Sequence, residues 1–168
     1  MTEPYRIMTV CTGNICRSPM AEVVLRDRLE RAGLADRVVV DSTGVSDEEH
    51  GNPIDRRARA ALAARGYPVP HRAARQVRPD DLAHRDLVLA MTASHARALR
   101  RIGGDQAPVV MYRSFDPAAP AVTDRDSEHL LDVDDPWYGG PENFELCLDE
   151  IEAAADGVVE HVRSALAD

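Results

Sequence analysis

Residues 10–22 read V-C-T-G-N-I-C-R-S-P-M-A-E and directly follow a short apolar run, Tyr5 to Val10. The apolar run is typical of a buried strand. The pair Ser18-Pro19 is typical of a helix start, with serine as the N-cap and proline at the first helical position. The residues from Cys11 to Arg17 are therefore predicted to form a loop between the end of a strand and the start of a helix. Ligands bind at this edge in open α/β sheets.

The same alternation of strand and helix continues along the chain. The predicted strands are Tyr5–Val10, Arg37–Val40, Asp86–Ala90 and Val109–Met111, and the predicted helices are Pro19–Arg31, Pro53–Arg65, Ala93–Ile102 and Asn143–Ala167. Strands separated by helices predict an α/β fold with a four-stranded parallel sheet and helices on both faces. The length of 168 residues fits one domain, residues 1–168. The segment between Tyr112 and Glu142 is too long for a simple connection, which indicates a functional loop.

Composition and charge exclude several classes of protein. Hydrophobic residues make up 44% and charged residues 29% of the chain, as in ordinary globular proteins. The net charge of −9 argues against a nucleic-acid partner and requires any anionic ligand to be bound by a local site. Three cysteines do not make a disulfide scaffold and fit a reducing compartment. No stretch has the length of a membrane span, so we expect a cytoplasmic protein without a membrane partner.

The predicted loop contains the parts of a binding site for phosphate or a similar anion. Free backbone N–H groups and the helix dipole favour an anion there, and Gly13 would allow successive N–H groups to turn inward as a nest. Arg17 can bind two phosphate oxygens at once. Cys11 lies at the floor of the loop, where the positive field favours a thiolate placed for in-line attack on phosphorus.

Two other interpretations of the loop fit poorly. The spacing C-x5-R-S does not match a Walker A loop, which needs G-x4-G-K-[ST]. A zinc site built on Cys11 and Cys16 lacks a second pair of cysteines or histidines. We therefore expect neither a metal nor a cofactor.

The segment C-T-G-N-I-C-R-S-P-M-A-E resembles the active-site loop of the low-molecular-weight protein tyrosine phosphatases. Other features of that family recur in order over most of the chain: Ser42, His71 before A-A-R-Q, Ser114-Phe-Asp-Pro117 and Asp135-Pro-Trp-Tyr-Gly139. The resemblance implies hydrolysis of phosphotyrosine through a phosphocysteine intermediate, with Cys11 as nucleophile and Arg17 as phosphate clamp. The implied substrates are tyrosine-phosphorylated proteins or small aryl phosphates.

A phosphatase of this kind also needs a general acid, because the departing phenolate must be protonated. Chemistry alone does not choose among four candidate aspartates of the long loop: Asp116, Asp132, Asp134 and Asp135. The resemblance chooses Asp135 as acid and later as base, and it makes Asp116-Pro117 a structural turn. Trp137 and Tyr138 are expected to pack beside an aromatic substrate and to reduce the access of water.

The resemblance also implies a set of residues that support the loop. Hydrogen bonds from Asn14, Ser18, Ser42 and His71 are expected to hold it, with Ser18 also donating to the thiolate. Thr12 and Ile15 complete the predicted phosphate-binding residues.

The two remaining cysteines receive separate interpretations. Cys16 is either a small buried residue or the partner of a reversible Cys11–Cys16 disulfide that shields the nucleophile. Cys147 is expected in the core.

Two positions depart from the family pattern. An acidic rim, Asp47-Glu-Glu-His50, stands where related sequences often place a tryptophan. Either it repels acidic phosphopeptides and offers no stacking, so that a low affinity for aromatic phosphoesters is expected, or it is a mobile, solvated loop. Thr92 stands where the family often has aspartate, and no role is carried over to it.

Three rival functions remain at this point. Protein-arginine phosphatases carry threonine at the position of Ile15, and the larger Ile15 favours phosphotyrosine. Arsenate reductases need further cysteines, but the chain has none between Cys16 and Cys147. A non-catalytic phosphate-binding module is disfavoured because Cys11, Arg17, Ser18 and Asp135 are all present.

Overall fold

A computed structural model describes residues 3–168 and contains one four-stranded sheet. The strands are β1 (Tyr5–Cys11), β2 (Val38–Gly44), β3 (Leu87–Ala90) and β4 (Val109–Met111). Every neighbouring pair is parallel, and the spatial order is β2-β1-β3-β4. The chain passes from β1 to β2 on one side and then crosses back to β3 on the other. The loops after β1 and β3 therefore diverge at a topological switch point, which opens a crevice at the carboxyl edge of the sheet.

Five helices in the described part of the chain surround the sheet. They are α1 (Arg17–Arg31), α2 (Arg56–Ala64), α3 (Pro79–Ala83), α4 (Ala93–Gly103) and α5 (Pro141–Ala167). Short 3-10 turns occupy Tyr112–Phe115, Arg125–Leu131 and Pro136–Tyr138 within the long loop predicted from the sequence. The short helix α3 was not predicted, since five residues give too little periodicity to recognise. Within residues 3–168, no helix is long and apolar enough to span a membrane.

Alternate residues of β1 face opposite layers of the fold. Ile7 packs in the cluster formed with α1, α2 and α5, whereas Met8 packs in the cluster formed with α3 and α4. Side chains of a strand alternate between the two faces of a sheet, so both faces are buried. The prediction of a four-stranded parallel sheet with helices on both faces is confirmed.

Two predicted boundaries near the loop were wrong. Helix α1 begins at Arg17 with Cys16 as its N-cap residue, so Ser18 lies in the first turn and is not the cap. Strand β2 runs to Gly44, so Ser42 lies inside the strand instead of following it. In these positions Ser18 and Ser42 lie in the interior behind the loop, where both accept hydrogen bonds from Asn14.

Candidate active site

The phosphate-binding loop, residues 11–17, has its left-handed residue at Asn14, with φ of +63°. The prediction that Gly13 supplies the unusual backbone conformation is therefore wrong. Asparagine tolerates this region better than most residues, and here its side chain is fixed on both sides. Nδ2 donates to Ser18 Oγ and to Ser42 Oγ, each at 2.9 Å, and Oδ1 accepts from Arg75 N at 3.1 Å. Asn14 thus ties the turn of the loop to the first turn of α1 and to β2.

Two glycines allow close approaches around this loop. A Cβ at Gly44 would lie 2.5 Å from the carbonyl oxygen of Thr12, so only glycine lets the end of β2 pass beneath the loop. A Cβ at Gly13 would meet Glu49 Cγ at 3.0 Å, which shows that the acidic rim packs directly over the loop. Gly44 was not identified from the sequence, because its role depends on the pairing of β1 with β2.

Ser18 contacts the sulfur of Cys11. Cys11 Sγ and Ser18 Oγ are 3.0 Å apart, both residues are buried, and Ser18 Oγ also lies 3.2 Å from Thr43 O. The serine has one hydroxyl proton, so it can donate to Thr43 O while Cys11 is a thiol and to Sγ when Cys11 is a thiolate. Hydrogen bonding to a charged form favours that form. The geometry therefore suits a stabilised thiolate.

A buried polar chain continues behind the loop. Ser42 Oγ donates to Glu22 Oε1 at 2.6 Å, and Arg72 Nη2 donates to Asn14 O at 2.8 Å and to Ser42 Oγ at 3.3 Å. His71 is exposed, and the hydrogen bonds found among residues 3–168 include none from its side chain. The expected support from His71 is therefore not seen, and its neighbour Arg72 supplies it. His71 lines a separate surface pocket together with α2 residues such as Arg56 and Arg59.

Arg17 connects the loop to the long segment after β4. The residue is 5% exposed, and its Nη1 donates to Val133 O at 2.9 Å. Its Nη2 lies 3.4 Å from Thr12 Oγ1 and 3.6 Å from Asp135 Oδ2. One guanidinium therefore reaches the two segments that the sequence predicted to act together, and its remaining N–H groups are available to an anion.

Asp135 is distinguished from the other three aspartates by its position. It lines the cavity that also contains Cys11 and Arg17, and its Oδ1 accepts from Trp137 N at 3.0 Å. Asp132 accepts instead from Ala93 N at 2.7 Å, and Asp116 accepts from Ala118 N at 2.8 Å within a turn, as predicted for Asp116-Pro117. Asp134 is exposed away from the cavity lining.

Arg57 fixes the segment that carries Asp135, a role that the sequence analysis did not identify. Its guanidinium lies 5.0 Å from the Trp137 ring and 4.6 Å from the Phe144 ring, and Nη1 donates to Trp137 O at 3.0 Å. Asp55 pairs with Arg57 at 3.2 Å, and the backbone N–H of Asp55 donates to Ile15 O at 2.9 Å. The start of α2 thus links the phosphate-binding loop to the segment that carries Asp135. Helix α2 contains several arginines, and nothing in the sequence marks Arg57 as the one that makes this contact.

The cavity has a volume of about 250 Å³ and a mixed lining. Its floor and walls bring together most of the predicted residues: Cys11, Thr12, Gly13, Ile15, Cys16, Arg17, Asp135, Trp137 and Tyr138. Glu48 and Glu49 of the acidic rim also line it. Trp137 is 41% and Tyr138 89% exposed, so these rings stand at the mouth and not in the depth of the cavity. Asn14, Ser18 and Ser42 lie behind it, as supports.

The three cysteines are all buried and unbridged. Burial, followed by the charge of Asp55, raises the pKa of the Cys16 thiol well above its usual value. Burial also raises the pKa of Cys147, to about 12, and Cys147 packs in the core as expected. In the part of the chain from residue 3 onward, no group of three or more His, Cys, Asp or Glu side chains is arranged to hold a metal ion.

Comparison with known proteins identifies relatives of this site and fold. Residues 6–167 match the family model described as low molecular weight phosphotyrosine protein phosphatase. The low molecular weight protein-tyrosine-phosphatase of Streptomyces coelicolor is 48% identical over 162 residues, covering 95% of this chain and 94% of that protein.

Solved structures agree with the sequence match. The crystal structure of a protein tyrosine phosphatase from Entamoeba histolytica superposes with a TM-score of 0.86 at 26% identity, covering 96% of this chain and 98% of that one. The YwlE arginine phosphatase superposes with a TM-score of 0.79 at 27% identity, covering 94% and 95%. With a family model spanning nearly its whole length and a relative at 48% identity, the chain belongs to the low molecular weight phosphotyrosine protein phosphatase family.

Proposed function

We propose that the protein is a tyrosine phosphatase that hydrolyses phosphotyrosine through a phosphocysteine intermediate. One observation carries the proposal: Cys11, Arg17 and Asp135 line the same cavity, and the Ser18 hydroxyl lies 3.0 Å from Cys11 Sγ. A nucleophile, a cation for the phosphoryl group and a carboxyl group for proton transfer are the parts that this reaction needs.

In the first step, the Cys11 thiolate attacks phosphorus while the loop amides and Arg17 hold the phosphoryl oxygens. The S–P bond forms, the bond between phosphorus and the tyrosine oxygen breaks, and Asp135 donates a proton to that departing oxygen.

In the second step, water attacks the phosphocysteine. Asp135, now a carboxylate, accepts a proton from the water, and the S–P bond breaks to release inorganic phosphate. The thiolate that leaves is stabilised by the hydroxyl of Ser18. No step in this sequence requires a metal or an organic cofactor.

The cavity favours an aryl ester as substrate, from tyrosine-phosphorylated proteins or small aryl phosphates. Trp137 and Tyr138 at the mouth offer aromatic surface, and Ile15 adds an apolar wall where a threonine would be polar. An arginine phosphatase shares the fold, but the 48% identical relative is named a tyrosine phosphatase. We also propose a cytoplasmic location, which three unbridged cysteines support.

We expect the wild-type protein to hydrolyse a phosphotyrosine peptide in the presence of a metal chelator. A peptide of the same sequence with phosphoarginine in that position is expected to give a kcat/KM that is lower by about tenfold or more, because Ile15 offers no polar partner to the guanidinium. Release of inorganic phosphate from both peptides measures the ratio. Ile15→Thr is the matched variant, and it is expected to reduce the ratio of the kcat/KM for phosphotyrosine to the kcat/KM for phosphoarginine. A preference for phosphoarginine, or inactivity toward both peptides, would reject the proposal.

We further propose that Cys16 protects Cys11 from irreversible oxidation. Peroxide oxidises the Cys11 thiolate to a sulfenic acid, the Cys16 sulfur attacks that sulfur, an S–S bond forms, and water is released. Both cysteines line the cavity and are buried, which supports the pairing. Since the pKa of Cys16 is raised, ring closure is expected to accelerate as the pH rises.

The test treats each protein with hydrogen peroxide and then with dithiothreitol. Wild type is expected to recover most of its activity, whereas Cys16→Ala is expected to remain inactive and to show Cys11 sulfinic acid by mass spectrometry. Cys147→Ala serves as the control and is expected to recover like wild type. Equal recovery in the Cys16 variant would show that Cys16 gives no protection.

A further inference from the structure

His95 lies at the switch point of the sheet and faces the phosphate-binding loop. Strand β3 ends at Ala90 and α4 begins at Ala93, so His95 occupies the first turn of α4, where its N–H donates to Thr92 Oγ1 at 3.2 Å. Because β1 and β3 are neighbours, the loops that follow them meet at the carboxyl edge of the sheet. His95 is 4% exposed, and its Nε2 lies 2.8 Å from Thr12 Oγ1.

The His95 ring is neutral at ordinary pH. Burial, followed by the positive charge of Arg17, lowers the pKa of His95 to about 3. A neutral imidazole carries one N–H, on either Nε2 or Nδ1. His95 Nδ1 is buried and has no hydrogen-bond partner among residues 3–168.

The missing partner at Nδ1 decides where the proton lies. If Nδ1 carried the proton, a buried N–H donor would be left unpaired, which native structures rarely tolerate. The proton therefore belongs on Nε2, which donates to Thr12 Oγ1. The unpaired Nδ1 is then an acceptor, which is the less costly of the two arrangements.

This arrangement leaves the Thr12 hydroxyl with one function. A hydroxyl oxygen has two lone pairs and one proton. His95 Nε2 donates to one lone pair at 2.8 Å, and Arg17 Nη2 approaches the other at 3.4 Å. With both lone pairs engaged, Thr12 can act only as a donor. Thr12 is exposed and lines the cavity beside Cys11 and Arg17, so its O–H is free to turn toward a bound anion.

We propose that His95 is a positioning residue that makes the Thr12 hydroxyl a dedicated donor to a phosphoryl oxygen. The pair extends the anion site beyond the loop amides and Arg17, and it couples the loop after β1 to the helix after β3. The inference rests on the proposed function insofar as the natural anion is a phosphoryl group. Its test uses binding of inorganic phosphate, which needs no turnover.

Isothermal titration with inorganic phosphate measures the effect. Thr12→Val and His95→Phe are each expected to weaken phosphate binding about three- to tenfold, because each removes one hydrogen bond or its orientation. The double variant is expected to bind no more weakly than either single variant, since the two residues act through one hydroxyl. Thr12→Ser keeps the hydroxyl and His95→Gln keeps an amide N–H in place of Nε2, so both are expected to bind within about threefold of wild type.

These outcomes separate orientation of a donor from general damage to the fold. Loss of the whole loop would also lower thermal stability and would not be rescued by His95→Gln. If His95→Phe does not fold, His95→Met fills a similar volume without a donor and takes its place. Unchanged phosphate affinity in Thr12→Val, or fully additive losses in the double variant, would overturn the proposal. If these binding results hold while no phosphotyrosine peptide is hydrolysed, only the proposed function fails.

Discussion

Replacing Cys11 by serine is expected to lower kcat/KM toward an aryl phosphate by about 10⁵-fold or more, as removal of a nucleophile does in other covalent enzymes. A serine hydroxyl stays protonated at neutral pH, and Asp135 must itself be protonated in this step to serve as the acid, so it cannot also accept the serine proton. Ser18 Oγ, 3.0 Å from the sulfur, is a hydroxyl that can stabilise an anion but cannot remove a proton from an alcohol. The measurement is aryl phosphate hydrolysis with chelator present.

The Cys11→Ser variant is expected to keep its affinity for inorganic phosphate. Arg17 and the loop amides are untouched, and serine fits the space of the buried thiol. Cys147→Ala is the matched control, because Cys147 is equally buried but does not line the cavity and is expected to keep wild-type kcat/KM. Activity above about 1% of wild type in Cys11→Ser would show that another group attacks phosphorus.

Local signals predicted the order of the central strand, loop and helix, although the helix begins two residues earlier than predicted. An apolar run, two cysteines, an arginine and a Ser-Pro pair lie within sixteen residues, from Tyr5 to Met20, so no distant contact was needed to recognise them. The roles of individual residues within the loop were less secure. Asn14 has the left-handed backbone expected of Gly13, because its side chain has three hydrogen-bond partners that hold it there. Those partners lie in α1, in β2 and at Arg75, which the sequence does not place together.

Residues that act through distant contacts were missed. Arg57 reaches Trp137 O, 80 residues away, and His95 reaches Thr12, 83 residues away. Each depends on strand order, which propensity and periodicity do not encode. Arg72 was missed in favour of His71, because nothing in the sequence marks which of the two neighbours reaches Asn14 O, 58 residues away.

The segment that carries Asp135, from Val133 to Trp137, is held in place from two sides. Arg17 binds Val133 O from the phosphate-binding loop, and Arg57 binds Trp137 O from α2. Both contacts are made to backbone oxygens, so they fix the segment without using the Asp135 side chain. Of the Asp135 oxygens, Oδ1 accepts from Trp137 N, and Oδ2 lies 3.6 Å from Arg17. A change at Asp135 therefore tests its chemistry apart from the position of its backbone.

Replacing Asp135 by asparagine is expected to lower kcat for phosphotyrosine about 10²- to 10³-fold with little change in KM. Asparagine keeps an oxygen to accept from Trp137 N but has no proton of suitable acidity to give. The ion pair that it loses is long, at 3.6 Å, and its Asp135 side is open to solvent, so its contribution, on the order of 1 kcal/mol, is too small for such a decrease. Asp134→Asn is the matched control, one residue away and exposed, and is expected to leave kcat unchanged.

The leaving group distinguishes a general acid from a residue that only shapes the loop. p-Nitrophenolate departs readily without a proton, so Asp135→Asn is expected to lose only about tenfold in kcat with p-nitrophenyl phosphate, while the larger loss remains with phenyl phosphate and phosphotyrosine. Stopped-flow measurement of the first turnover isolates this step from hydrolysis of the phosphocysteine. An equal decrease for all three esters would show that Asp135 positions the segment and does not protonate the leaving oxygen. An equal decrease in Asp134→Asn would assign the proton to neither side chain alone.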